Sequence, residues 1–271
     1  MTQCDHNCSS CSINSCEKKI EKEKPNDFSQ IKNVIAVVSG KGGVGKSMVT
    51  SLLAVELTRA GYMVGILDAD ITGPSIPKSF NINERVKGSE SGIFPAKTNL
   101  GTKIISINLL LDNVTDPVLW RGPVISGILK QFYTDVIWGE LDYLLIDMPP
   151  GTADTALTVF QSIPVDYAVI VTSPQELVSM IVEKAVKMAE MMHITVLGAI
   201  QNFSYVVCDN CSNVIELFGD NDNNRLSIPI LDKIPFDKKL STAIDKGMIE
   251  LAENTYIKNT VNKLIKVYKE S

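Results

Sequence analysis

Two cysteines late in the chain, Cys208 and Cys211, stand two residues apart in the stretch YVVCDNC. Thiolates at this spacing bind zinc or the iron of iron–sulfur clusters, and a closed tetrahedral site needs four such ligands. The other four cysteines lie at the amino terminus with the spacing C-x3-C-x2-C-x4-C: Cys4, Cys8, Cys11 and Cys16. The late pair therefore supplies half of a metal site and raises the question of what supplies the rest.

We predict that residues 1–30 form a cysteine-rich tail, because they combine the charged run EKKIEKEKPND with too few apolar residues for a core. The four tail cysteines are candidate ligands for a metal, either a second cluster or Zn²⁺ with His6 as a substitute ligand. Disulfides are the less favoured interpretation, because CxxC spacing in a reducing compartment more often indicates metal or redox chemistry.

A glycine-rich segment, GKGGVGKS at residues 40–47, follows the apolar run NVIAVVS and fits the phosphate-binding pattern G-x-x-x-x-G-K-[ST]. Its backbone N–H groups and the start of the next helix are expected to surround phosphate. Lys46 is expected to contact the β and γ phosphates, and Ser47 offers a hydroxyl to Mg²⁺. The predicted nucleotide-binding residues of this segment are Gly40, Lys41, Gly42, Gly43, Val44, Gly45, Lys46, Ser47 and Met48.

Two aspartate-bearing segments end predicted strands, LDADITGPS (67–75) and LLIDMPPGT (144–152). Loops at the carboxyl edge of an open α/β sheet face the ligand crevice. Asp147 is therefore predicted to hold Mg²⁺ directly or through water, and Asp70 to orient the attacking water. Gly151 is expected to bring its N–H close to the γ-phosphate. The structural alternative is that Asp68, Asp70 and Asp147 only cap helices.

The elements that position these residues follow from the apolar pattern, in which short β-branched runs alternate with helical stretches from Ile31 onward. Continuous apolar runs are typical of a parallel sheet buried on both faces. We predict one domain, residues 31–271, of the α/β class, with a doubly wound, mostly parallel sheet, helices on both faces and a P-loop NTPase fold. Helices are predicted near 46–60, 123–137, 153–162, 175–191 and 249–269, and strands in NVIAVVS, YMVGILDAD, KIISINLL, DYLLIDMPP, DYAVIVTSP and ITVLGAIQN.

Composition narrows the classes of partner. The net charge of −5 and the lack of clustered Lys and Arg argue against nucleic-acid binding. No run approaches the roughly 18 apolar residues of a membrane span, so we expect a cytoplasmic protein without a membrane partner. The last predicted helix carries an apolar stripe that either packs on the sheet or lies on a membrane surface: Ile257, Val261, Leu264, Ile265 and Tyr268.

The motifs together resemble a known family. KGGVGKS is similar to the deviant Walker A motif of the ParA/MinD and nitrogenase iron-protein class. Within that class, residues 31 to the carboxyl terminus resemble the Mrp/ApbC/Nbp iron–sulfur cluster carrier ATPases. The stretches that carry the resemblance are KGGVGKS, DADITGPSIP, WRGP, IDMPPGTADTALT, TSPQELV and NFSYVVCDNC.

The resemblance implies a homodimer in which Lys41 reaches across to the phosphates of the partner subunit. It also implies that Asn202 and the IPFD loop at 234–237, including Pro235, lie beside the adenine base. A two-fold axis at the late CxxC pair would then bring Cys208 and Cys211 from both chains together. Two plus two thiolates complete the shell of a [4Fe-4S] cluster.

The function expected on this basis is that of an ATP-hydrolysing scaffold or carrier. It would bind ATP, Mg²⁺ and a [4Fe-4S] cluster and transfer the cluster to apoproteins. Two alternatives stay open at this point: a spatial-regulator ATPase of the ParA/MinD type, and a regulatory ATPase in which zinc at the cysteines is purely structural.

Overall fold

A computed structural model describes residues 22–71, 73–111, 122–151, 154–175, 177–208, 210–217 and 226–270. The described strands are β1 (Ser29–Ser39), β2 (Val64–Asp68), β3 (Lys87–Ser89), β4 (Gly92–Phe94), β5 (Ala96–Lys97), β6 (Lys103–Ile105), β7 (Gly139–Asp147), β8 (Tyr167–Thr172), β9 (Thr195–Gln201), β10 (Tyr205–Val207), β11 (Val214–Glu216) and β12 (Ile230–Lys233). The described helices are α1 (Lys46–Arg59), α2 (Ile76–Ser79), α3 (Gly122–Thr134), α4 (Asp154–Ser162), α5 (Leu177–Met191), α6 (Lys238–Asp245) and α7 (Lys258–Glu270).

Eight of the described strands form the central sheet in the order β12-β9-β8-β1-β7-β2-β6-β5, in which β5 runs antiparallel to β6. The strands β1, β7 and β2 are adjacent and parallel, with Val37 opposite Asp147 and Asp147 opposite Asp68. The ends of these three strands therefore meet at one edge of the sheet. The predicted α/β fold with a mostly parallel sheet is confirmed.

Helices cover both faces of the sheet, which explains the unbroken apolar runs. Side chains alternate along β1: Ala36 and Val38 belong to the core beneath α3, α4 and α5, whereas Ile35 and Val37 belong to the core beneath α1 and α7. A fully buried Val or Ile contributes about 1.5–3 kcal/mol relative to an exposed one. β1 is thus buried on both sides and gives the following loop a rigid support.

The predicted helix at 249–269 is wrong in its first half. A 3₁₀ turn at Ile249–Leu251 is followed by a loop, and α7 begins at Lys258. The start is fixed by Asp232 of β12, whose carboxylate accepts hydrogen bonds from Thr260 N (2.7 Å) and Thr260 Oγ1 (2.6 Å). A cap supplied by a distant strand is not visible in the local sequence pattern.

The apolar stripe of α7 packs on the sheet, as the first of the two interpretations predicts. Ile257, Val261 and Leu264 are buried in the same core as α1, and Ile265 and Tyr268 pack against it. Tyr143 of β7 donates its hydroxyl to the carbonyl of Leu264 (3.1 Å). In the described part of the chain, no helix is long and apolar enough to cross a membrane.

Other boundaries also shift. The predicted helix 123–137 ends at Thr134, because Ile137 donates its N–H to the carbonyl of Ile93 (2.8 Å) in the β3–β4 hairpin segment. The predicted strand KIISINLL is a strand only over Lys103–Ile105 and then becomes a 3₁₀ turn at Ile107–Leu109. The short helices α2 and α6 and the hairpins β3–β4 and β10–β11 were not predicted.

Residues just before β1 contact the domain. The N–H of Glu23 donates to the carbonyl of Ser162 (2.8 Å), and Lys22 Nζ donates to the carbonyl of Phe160 at the end of α4. The side chain of Asn26 donates to the carbonyl of Ser91 (3.1 Å). The described segment from residue 22 onward is therefore attached to the folded domain.

Candidate functional site

The glycine-rich loop connects β1 to α1 at the carboxyl edge of the sheet. Gly45 is the N-cap residue of α1 and has a left-handed conformation (φ 80°), which glycine adopts without strain. Within the described ranges no side chain caps α1, and the first turn of the helix contains no acidic residue. The first N–H groups of α1 and its positive dipole end are therefore available to an anion such as phosphate.

Asp147 ends β7 directly below this loop and is fully buried. Its carboxylate accepts hydrogen bonds from Ser47 Oγ (2.6 Å) and from Thr50 Oγ1 (2.7 Å). Ser47 and Asp147, which were predicted separately as Mg²⁺ ligands, thus meet. Mg²⁺ prefers such hard oxygen ligands together with water and phosphate, so this pair fits the ion. Thr50 was missed, although it lies one helical turn after Lys46.

Lys46 neutralises this buried carboxylate. Lys46 Nζ lies 2.8 Å from Asp147 Oδ2 and 4.0 Å from Asp70 Oδ2, and its side chain is 5% exposed. The structure therefore brings the predicted phosphate lysine, the predicted Mg²⁺ carboxylate and the predicted water-orienting carboxylate into one cluster. A Mg²⁺–triphosphate carries charges opposite to those of this ion pair. Its phosphates can contact Lys46, and its Mg²⁺ can contact Asp147.

Asp68 supports Asp70 from below. The carboxylate of Asp68 is buried and accepts hydrogen bonds from Ser106 Oγ (2.9 Å) and from Asp70 N (3.2 Å). Burial and, after it, the charge of Asp147 raise the pKa of Asp68 to about 8, although Lys46 and Ser106 oppose the shift. Asp68 thus holds the backbone of Asp70 in place, and Asp70 lines the cavity above it.

A cavity of about 360 Å³ opens in front of the loop, large enough for the phosphate part of a nucleotide. Lys46 is at its base and Lys78 of α2 at its exposed wall, so two positive charges border it. Lys78, which follows the GPSIP segment, was not predicted from the sequence. The lining residues are Ser39, Gly42, Gly43, Val44, Gly45, Lys46, Ser47, Met48, Asp70, Ser75, Lys78, Ser79, Pro150, Ile244 and Asp245.

Three further residues expected near the nucleotide make the following contacts within the domain. Gly151 donates its N–H to the carbonyl of Ser39 (2.9 Å), so this N–H bonds inside the fold. Asn202 is fully buried, and its side-chain amide donates to the carbonyl of Val44 (2.9 Å). Pro235 is buried as well, and neither Asn202 nor Pro235 is among the described residues that line the phosphate cavity.

Lys41 lies at the rim of the loop, where its side-chain Nζ donates to Gln175 Oε1 (2.5 Å). Gln175 is exposed and belongs to the loop that follows β8. Lys46, by contrast, is buried at the base of the cavity. The two lysines of the motif therefore occupy different positions, and Gln175 is a contact of Lys41 that the sequence did not reveal.

The late cysteine pair lies in the turn of the β10–β11 hairpin. Cys208 donates its N–H to the carbonyl of Asn213 (2.9 Å), and Ser212 donates its N–H to the carbonyl of Cys208 (2.9 Å) with φ 57°. Cys208 is half-buried and Cys211 is exposed, and within the described ranges they form no disulfide. This tight turn places both residues on a surface hairpin, where a metal ligand can be shared with another molecule.

Apolar side chains around the pair are exposed rather than buried. On the two strands, Val207 is 44%, Val214 60% and Ile215 51% exposed, and Leu217 beyond β11 is 49% exposed. Such a patch is typical of a surface that another molecule covers. No group of three or more metal-ligating side chains occurs in the described parts of the chain, so this hairpin lacks further ligands within its own described surroundings.

The four tail cysteines, Cys4, Cys8, Cys11 and Cys16, lie outside the described residues.

The base of the β10–β11 hairpin is connected to the nucleotide side of the domain. Ser204 donates its N–H to the carbonyl of Ile234 (2.9 Å), and Phe236 donates its N–H to the carbonyl of Tyr205 (2.7 Å). The ring centroids of Phe203 and Phe236 are 5.6 Å apart.

Comparison with known proteins identifies the family of the chain. A family model described as NUBPL iron-transfer P-loop NTPase matches residues 30–269. The chain is 45% identical over 262 residues to the iron–sulfur cluster carrier protein of Clostridium perfringens, covering 91% of this chain and 92% of that protein. It is 46% identical over 261 residues to the iron–sulfur cluster carrier protein of Methanocaldococcus jannaschii, covering 92% and 90%.

A solved structure is also similar: a nucleotide-binding protein in complex with ADP from Archaeoglobus fulgidus. It has 44% sequence identity and a TM-score of 0.74, and the match covers 83% of this chain and 90% of that one. Sequence, family model and three-dimensional structure thus point to the same group of proteins. The chain belongs to the iron-transfer P-loop NTPase family.

Proposed function

We propose that this protein is an ATP-hydrolysing carrier that assembles a [4Fe-4S] cluster between two copies of the chain and delivers it to apoproteins. The observation that carries the proposal is the exposed hairpin, which presents Cys208 and Cys211 as two ligands on a P-loop ATPase domain. Two thiolates fill half of a Cys₄ shell. A cluster held by only two bonds from each chain at a surface can be passed on.

The ATPase part of the proposal rests on the cluster around the P-loop. Ser47 and Asp147 would hold Mg²⁺, which neutralises charge on the transferred phosphoryl group. Lys46 contacts the β and γ phosphates, and Asp70 accepts a hydrogen bond from the attacking water. Attack of this water forms a new oxygen–phosphorus bond and breaks the bond between the γ-phosphorus and the β–γ bridging oxygen, releasing ADP and phosphate.

The proposed partner for this reaction is a second copy of the chain. Lys41 lies at the rim, where it bonds to the exposed Gln175, and it would exchange this contact for the partner's phosphates in a face-to-face dimer. The same arrangement would cover the exposed apolar residues Val207, Val214 and Ile215. Burial of apolar surface stabilises a complex by about 25 cal/mol per Å², so covering these residues favours the association.

The test is anaerobic purification followed by iron, sulfide and zinc assays together with measurement of the oligomeric state. We expect about four irons and four sulfides per dimer of the protein that lacks the tail cysteines. Transfer of the cluster to an apo acceptor should follow. Four irons per monomer would contradict the bridging site, and one tightly held zinc per chain would favour the structural-zinc alternative.

The tail cysteines are proposed to form a separate metal site, either a second cluster or zinc.

The nucleotide site is also proposed to extend to Asn202 and Pro235 on the side of the base. Both are close in sequence to the segments that contact each other at the hairpin root: Ser204 with Ile234, and Tyr205 with Phe236. This adjacency supports a link between the nucleotide site and the cysteine hairpin.

A further inference from the structure

Asn202 is the residue that connects the end of β9 with the phosphate-binding loop. It has no solvent exposure, and its backbone N–H donates to the carbonyl of Thr172 (2.8 Å), which fixes the main chain. Its side-chain Nδ2 donates to the carbonyl of Val44 (2.9 Å). A carbonyl oxygen accepts hydrogen bonds but cannot donate them, so the amide nitrogen must be the atom that faces Val44.

This hydrogen bond orients a peptide group of the loop. In a trans peptide the carbonyl of Val44 and the N–H of Gly45 point in opposite directions. If the Val44 carbonyl is held toward Asn202, the Gly45 N–H must point away from Asn202. Val44 and Gly45 both line the phosphate cavity, and an inward N–H is what a phosphate oxygen requires.

Close packing keeps the two partners in place. A Cβ atom added to Gly45 would lie 2.2 Å from Asn202 Nδ2, a distance that no relaxed structure accommodates. Gly43 has the same φ of 80°, yet a Cβ there would meet no atom of the described residues within 4 Å. The absence of a side chain at Gly45 therefore serves the approach of Asn202 as well as the left-handed backbone.

We propose that Asn202 is a positioning residue for the phosphate-binding loop, which acts on the phosphates through the Val44–Gly45 peptide. This inference rests on the proposed nucleotide binding and deepens it. It assigns to Asn202 a role at the phosphate end of the ligand in addition to any contact with the base. The role requires only the amide nitrogen and leaves Oδ1, which has no hydrogen-bond partner among the described residues, available for another contact.

The test compares ATP with tripolyphosphate, a ligand that has the phosphates but lacks the base. Calorimetric titration of wild type, Asn202→Ala and the similarly sized Asn202→Leu gives the affinity for both ligands. We expect each variant to bind tripolyphosphate about tenfold more weakly, the effect of one lost buried hydrogen bond. Unchanged tripolyphosphate affinity with weaker ATP binding would overturn the proposal and leave Asn202 as a base contact.

Two glycine variants provide a matched comparison that does not change Asn202. Gly43→Ala and Gly45→Ala each place a Cβ atom on a backbone with φ 80°, but only the Cβ atom at position 45 would displace Asn202. Gly45→Ala should therefore weaken tripolyphosphate binding more than Gly43→Ala does. Equal losses would overturn the proposal. This pair also decides the matter if the Asn202 variants do not fold.

Wild-type binding separates this inference from the proposed function. A wild-type protein that binds neither ATP nor tripolyphosphate would refute the nucleotide site itself. A wild-type protein that binds both ligands, with Asn202 variants that bind tripolyphosphate equally well, would refute only the positioning role.

Discussion

Lys46 Nζ lies 2.8 Å from Asp147 Oδ2, and both side chains are almost completely removed from solvent. One residue begins the helix after the glycine-rich loop, and the other ends a strand far along the chain. In this low-dielectric position each charge is compensated by the other and by the hydroxyl donors Ser47 and Thr50. The ion pair therefore organises the base of the nucleotide site.

Lys46→Ala should weaken ATP binding by on the order of 10- to 100-fold, because a buried charge-assisted contact with phosphate is lost. It should also lower the melting temperature, because Asp147 loses its buried cation, a change that costs about 3–5 kcal/mol. Calorimetry and thermal unfolding measure the two effects. Lys266→Ala is the control, since this exposed lysine of α7 does not line the cavity; equal affinity in wild type and Lys46→Ala would refute the assignment.

Lys41→Ala should leave ATP binding by a single chain intact but impair hydrolysis, as expected of a residue that acts on the partner's site. Asp70→Ala should also slow hydrolysis while sparing ATP affinity, because it positions water. In a mixed dimer of the two variants, one site retains its own Asp70 and receives an intact Lys41 from the other chain. Mixing should restore part of the activity; no recovery at any ratio would place Lys41 in cis.

Removing the cysteine tail should leave a folded protein that binds ATP and has a lower metal content. Deletion of residues 1–30 would also remove the contacts of Lys22, Glu23 and Asn26 with the domain. A deletion of residues 1–21 keeps these contacts and is the sharper version of the experiment. Circular dichroism, calorimetry and metal analysis provide the readouts. An insoluble product of the shorter deletion would mean that the tail is structural.

Cys208→Ser or Cys211→Ser, made in the protein that lacks residues 1–21, should abolish reconstituted iron and leave ATP binding unchanged. Iron prefers the soft thiolate to a hydroxyl ligand, and the hairpin turn is held by backbone hydrogen bonds that the substitution retains. Iron and sulfide assays with visible absorbance report the cluster. Ser212→Ala, in the same turn, is the control and should retain iron; retention in the cysteine variants would place the cluster elsewhere.

Asp142 should make stability depend on pH through its contacts at the opposite edge of the sheet. Burial alone raises the pKa of Asp142, but hydrogen bonds from Met63 N (2.8 Å), Lys32 Nζ (2.9 Å) and Tyr268 OH (2.7 Å) hold it below its usual value. Because the folded-state pKa is lowered, this stabilisation is present above the unfolded pKa of about 4 and is lost as the pH falls through the folded value.

Asp142→Asn should therefore destabilise the protein by about 1.5–3 kcal/mol at pH 7, the range for hydrogen bonds to a charged group. The difference from wild type should shrink as the pH falls below about 4. Urea unfolding at several pH values measures it. Glu270→Gln, in an exposed pair with Lys266, is the control and should change stability little. A difference that does not vary with pH would contradict the assignment.

Much of the fold was readable because its signals are local. Buried parallel strands appear as unbroken apolar runs, and the sequence prediction of a doubly wound α/β domain is confirmed. The helix at 249–269 failed because α7 begins where Asp232, a residue of another element, caps it. The hairpins and α2 were missed because very short elements carry too few residues for a periodic pattern.

The sequence by residue type alone indicates which chemistry the site residues could perform. The order of Gly, Lys and Ser in residues 40–47, the strand-end aspartates and the two cysteines of YVVCDNC are properties of residue type and spacing, and they also revealed the family. The tertiary structure decided which of these residues meet. It joined Ser47 with Asp147, placed Asp68 beneath Asp70, and set Asn202 behind Val44. Such contacts depend on strand order and register, which only the packed sheet defines.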